Sequence, residues 1–171
     1  MCQGCCMDTI VLSVRKVEGE SDISLLGKEV VDIVINGRDI REIVYEVESA
    51  NLIREGKEPK TGGYELLEPD FVFLPYRNFL GEPDRTLYSY MVDDGRVPIL
   101  RCVCGDIDCG PVYVRITLEG DRVVWSEIGN PAKEPDYCEK PWDYSSLHFV
   151  FDREQYMSEL SKYCPEASSI E

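Results

Sequence analysis

A chain of 171 residues is long enough for one full hydrophobic core and short for two, so a single domain is expected. Its 43% hydrophobic and 30% charged residues are those of a folded globule, and no run approaches the roughly 20 apolar residues that a membrane helix needs. With 33 acidic against 18 basic residues, the net charge of -15 repels phosphate backbones and anionic headgroups, which removes nucleic acid and membrane surfaces from the expected partners.

The opening stretch MCQGCCMD lacks the basic-then-apolar order of an export signal, so residues 1–8 read as a cysteine-rich tail and the compartment as cytoplasmic. In that reducing setting the eight cysteines are expected to be thiols, thiolates or metal ligands rather than disulfides. Residues 9–164 are expected to form the domain, and 165–171 a C-terminal tail.

Thr9 to Val17 alternates, with Ile10, Leu12 and Val14 on one face, as a half-buried strand does. Val31, Ile33 and Ile35 repeat the pattern before the Asn36-Gly37 turn. The period then changes: Ile40, Ile43, Val44 and Val47 fit one helical face, with Arg41, Glu42, Glu46 and Glu48 on the other. Asp39 and Glu42 form a capping-box pattern, so a helix is expected from Arg38 or Asp39 to about Asn51. Prolines and glycines punctuate Tyr64 to Asp94, which reads as irregular with a short strand at Phe71 to Leu74 and a short helix after Pro75.

From Val97 the pattern sharpens. Val112, Val114, Ile116 and Leu118 alternate up to a turn at Glu119 to Arg122, which leads into a partner strand through Trp125, giving a β-hairpin. After a proline-bearing loop, Phe149 and Phe151 share a strand face, and Asp152 with Gln155 caps a closing helix whose apolar stripe is Tyr156, Met157, Leu160 and Tyr163. The sum is an α+β fold, a largely antiparallel sheet of five to seven strands flanked by two helices.

The segment RCVCGDIDCG is the chemically pointed one. Residues two apart on a strand face the same way, so Cys102 and Cys104 present their sulfurs side by side, and Gly105 lets the chain turn to bring Cys109 back. Three thiolates suit zinc, which closes its tetrahedron with a fourth ligand, and Cys138 and the single histidine, His148, are the candidates. Buried free cysteines packed as small core residues are the plain alternative. A second group, Cys2, Cys5 and Cys6, has C-x2-C spacing but sits where chain ends fray. A redox role needs a thiol of depressed pKa; Arg101 favours the thiolate of Cys102, whereas Asp106 and Asp108 oppose it.

Taken together, VDIVINGRDIREIVYEVE, FLG, PILRCVCGDIDCGPVYVRI, VVWSEIGNP and WDYSSLHFVFDREQYMSEL resemble a widespread family of uncharacterised bacterial proteins. That family looks like a strand with an I-N-G-x-x-L turn, a helix, a C-x-C-G-x-x-x-C knuckle, a hairpin bearing V-x-W and a final F-x-F-D-x-x-x-Y helix. The resemblance spans Val30 to Tyr163 and implies a knuckle at Cys102, Cys104 and Cys109 without implying a reaction. The chain differs in carrying Ala132-Lys133 after Asn130-Pro131, where relatives tend to be basic and histidine-bearing, and in its MCQGCC start. The expectation is a non-enzymatic module with a cysteine-ligated metal knuckle presenting a surface to a protein partner. A thiol- or metal-dependent enzyme using the same cysteines is the alternative.

Overall fold

The computed structural model describes residues 6–18, 27–60, 62–83, 94–103 and 110–163. Alternating apolar residues make β1 (Ile10–Lys16) and β2 (Glu29–Ile35), which pair antiparallel with Leu12 opposite Ile33 and Val14 opposite Val31. Asn36 and Gly37, both at positive φ, turn the chain into β3 (Arg38–Asp39). Asp39 then caps α1 (Ile40–Arg54), its carboxylate accepting from the Arg41 amide at 2.7 Å.

The stretch expected as a strand near Phe71 is instead a short helix, α2 (Pro69–Val72). Proline at the first turn presets φ for a helix, and the Phe71 and Phe73 amides find the Glu68 and Pro69 carbonyls. The helix expected after Pro75 is a single 3-10 turn, Asn78–Leu80.

A five-stranded sheet follows the order β4 (Tyr64–Glu65), β5 (Val97–Cys102), β6 (Val112–Glu119), β7 (Arg122–Gly129) and β8 (Phe149–Asp152), antiparallel throughout. Gly120 and Asp121 form the tight hairpin turn between β6 and β7, with Glu119 opposite Arg122. The strands therefore form two sheets, β1-β2-β3 and β4-β5-β6-β7-β8, where one sheet was expected. A single cluster of buried residues runs through both.

The last helix, α3 (Arg153–Ser161), packs on β1, β7 and β8 and so links the sheets. Its start matches the sequence pattern, Asp152 accepting from the Gln155 amide at 2.9 Å. At the centre, fully buried Trp125 meets Phe79, Phe151 and Tyr156 edge to face, and its indole N–H donates to the Tyr156 hydroxyl at 3.1 Å. Asp8, assigned by sequence to the tail, is fastened to β8: its amide donates to the Val150 carbonyl and its carboxylate accepts from the Val150 amide, both at 2.8 Å.

Candidate functional site

Cys102 closes β5 opposite Tyr64 of β4, half-buried and with a free thiol. The backbone beyond it is pinned, since the Val103 amide donates to the Gly63 carbonyl at 3.1 Å. Neighbouring strand residues face opposite ways, so Arg101 turns from Cys102 and lies buried, 3.8 Å from Glu65 and 3.6 Å from Glu68. Its charge faces those two carboxylates.

The other expected ligands stand elsewhere. Cys138, in the loop after β7, donates its thiol proton to the Lys140 carbonyl at 3.3 Å. His148 is exposed and precedes β8; three strand spacings of about 4.8 Å separate β8 from β5, roughly 14 Å across the sheet. Cys6 is free and exposed. Among the described residues no three His, Cys, Asp or Glu side chains converge as a metal site. Cys104 and Cys109, like Cys2 and Cys5, lie outside the described residues. Among the described residues, Cys102, Cys138 and His148 do not come together as a three-ligand set.

The structure assembles a different polar centre, around Glu48. The helical pattern assigned Glu48 to the solvent face of α1, but the buried stripe is Ile40, Val44, Glu48 and Asn51, and Glu48 has 0% exposure. A buried carboxylate needs partners. The Tyr64 and Tyr144 hydroxyls donate to its Oε1 at 2.6 and 2.7 Å, and the Lys60 ammonium stands 3.0 Å from Oε2, off the direction of a hydrogen bond. Burial, with Glu48's charge second, raises the pKa of both hydroxyls far above the ordinary tyrosine range. Asn51, one turn on, donates to the Asp143 carbonyl and accepts from the Asp143 amide, at 3.1 and 2.8 Å. Together these bonds fasten α1 to β4 and to the segment before β8. The sequence signal was a charged residue four positions after Val44 on an apolar stripe.

Tyr144 also walls an open cavity of about 350 Å³ beside the end of β7, with Trp142, Arg96, Asp94, Glu127 and Glu134. Its shape follows from a β-bulge. Between Tyr113 and Arg115 the register slips by one residue, and Glu127 takes a positive φ of 49° that few non-glycine residues adopt. Arg96, almost wholly buried, ties the walls together: Nε donates to Asp94 at 2.7 Å, Nη2 to Glu134 at 3.2 Å and Nη1 to the Glu127 carbonyl at 3.4 Å. Gly129 leaves room for Tyr144, whose ring would stand 3.1 Å from an added Cβ.

Comparison with known proteins returns no family model, no curated protein and no solved structure that matches the chain. No helix among the described residues is long and apolar enough to cross a membrane.

Proposed function

We propose that this protein is a non-enzymatic cytoplasmic module that presents a binding surface to a protein partner, with Cys102, Cys104 and Cys109 forming a zinc-holding knuckle after β5. The observation that carries the reading is the sealing of the Glu48 centre. A carboxylate, two phenols and an ammonium have the makings of an acid-base set, yet a general acid or base has to come within hydrogen-bonding reach of a substrate. At 0%, 5% and 9% exposure, Glu48, Tyr64 and Tyr144 are buried, and both phenol protons are donated to Glu48 Oε1. Such a centre serves as a staple.

Support for the knuckle comes from Cys102, a free half-buried thiol on a pinned strand end immediately before its loop. Elemental analysis of the purified chain tests this part of the reading, with about one equivalent of zinc expected and a loss of folded signal on chelation. Cysteines that all react freely in folded, metal-free protein would remove the zinc knuckle. A single hyper-reactive Cys102 or Cys109 at neutral pH would favour thiol chemistry in place of a binding role.

A further inference from the structure

We infer that the cavity beside the β7 bulge is the anchor pocket for a lysine or arginine side chain of a basic protein partner. This rests on the binding-module reading and adds the chemistry of the contact. At about 350 Å³ and open to solvent, the cavity lies at the small end of ligand-sized clefts.

Hydrogen-bond accounting gives the selectivity. The donors in and around the wall are committed: Trp142 Nε1 to Glu55 at 2.8 Å, the Tyr144 hydroxyl to Glu48, Arg96 to Asp94 and Glu134, and Arg115 to Glu127 at 3.0 Å and to the Asp94 carbonyl at 2.7 Å. The acceptors are not exhausted. A carboxylate offers about four lone-pair sites, and Asp94, Glu127 and Glu134 each use only some of theirs on the two arginines. A guest therefore finds acceptors and aromatic faces, while the side-chain donors of the lining residues Arg96, Trp142 and Tyr144 are taken, which favours a donor over an anion.

Charge and π-surface point the same way. The lining carries three carboxylates against the one guanidinium of Arg96, with Arg115 and Lys133 beside it, on a chain of net charge -15 that draws cations toward it. Trp142 already carries an ammonium, with Lys133 Nζ 4.5 Å from its ring centroid, so this aromatic element accepts a cation within the chain itself. The pocket is also pre-shaped. Arg96 cross-links three of its walls and the Glu48 staple holds Tyr144, so a guest orders little on entry.

The test reads the two tryptophan indole N–H signals of the full chain in a nitrogen-15 correlation spectrum, with n-butylammonium as probe and n-butanol, butyrate and sodium chloride as controls. Butylammonium should shift the Trp142 signal saturably, leave buried Trp125 in place, and bind about threefold more weakly to Glu127→Gln, the size expected for one exposed charge pair. An absent response, or an equal one to butanol or to salt, overturns the inference and leaves the module reading standing. Hexalysine, compared with hexaglutamate, probes the reading itself and should bind more tightly than butylammonium. Saturation by butylammonium without tighter hexalysine binding would sink the protein-partner reading while leaving a cation-selective cavity.

Discussion

Replacing Glu48 by leucine keeps an apolar side chain of similar bulk on α1 but removes the acceptor for two buried hydroxyls, Tyr64 and Tyr144, at 2.6 and 2.7 Å. A hydrogen bond to a charged group contributes about 1.5–3 kcal/mol, so losing both should cost roughly 4 kcal/mol. Against a typical total of about 5–15 kcal/mol, that is a large fraction. In urea, with a slope of about 2 kcal/mol per molar, the unfolding midpoint should fall by about 2 M at unchanged slope. The decisive comparison adds Tyr64→Phe and Tyr144→Phe to Glu48→Leu. With both phenols replaced no buried hydroxyl is left unsatisfied, and Lys60, a quarter exposed, can turn to solvent, so much of the loss should return. A midpoint shift below about 0.5 M, or tyrosine substitutions whose costs simply add to that of Glu48→Leu, would refute the staple.

Alkaline pH should unfold the protein through its buried phenols. Tyr64, Tyr144 and Tyr156 all have raised pKa values, chiefly from burial, so their folded values lie above the unfolded value of about 10. The stability they contribute is complete below that unfolded value and is lost as pH rises through the folded ones, at up to about 4 kcal/mol per pH unit for three groups. Tyrosinate absorbance should show them ionising only with unfolding, whereas ionisation alongside exposed Tyr137 in a still-folded chain would contradict this. At Gly81, φ is +78° and an added Cβ would stand 2.1 Å from the Ile116 backbone oxygen. Gly81→Ala should therefore cost about 3 kcal/mol or more in thermal or urea melts, against about 1 kcal/mol at Gly120, where φ is also positive but the space is open.

Local grammar carried over from sequence to structure, and long-range assembly did not. The β6-β7 hairpin, the Asp39 and Asp152 caps and the alternation of β1 and β2 each depend on residues a few positions apart, and each is present. Assignment of the strands to two sheets depends on which apolar faces meet, which periodicity does not encode. Glu48 was placed on the wrong face for a related reason. Its partners lie 16 and 96 residues away, so the sequence shows the charge on α1 without showing what compensates it. The cavity, too, draws on segments from Asp94 to Tyr144, and its bulge at Glu127 has no glycine to announce it. The cysteine cluster is the reverse case, conspicuous as a motif, yet Cys104 and Cys109 lie outside the described residues, among which no three metal-ligating side chains converge.

How the sheets end limits how a partner can be met. An open strand edge is a template for another strand, and here the edges are closed by side chains. Along β1, α3 stands in for a neighbouring strand: Glu159 accepts from the Leu12 amide at 2.7 Å, and Gln155 donates to the Ile10 carbonyl at 2.6 Å. On β4 the Tyr45 hydroxyl serves both the amide and the carbonyl of Tyr64, at 3.1 and 3.3 Å. Asp8 occupies the Val150 groups of β8, and β3 runs straight into α1. Strand addition at these positions would have to displace bonds already made, some of them from carboxylates. A partner engaging the described surface is thus better served by side chains and concavity than by backbone pairing, which directs attention to the walled cavity at the bulge.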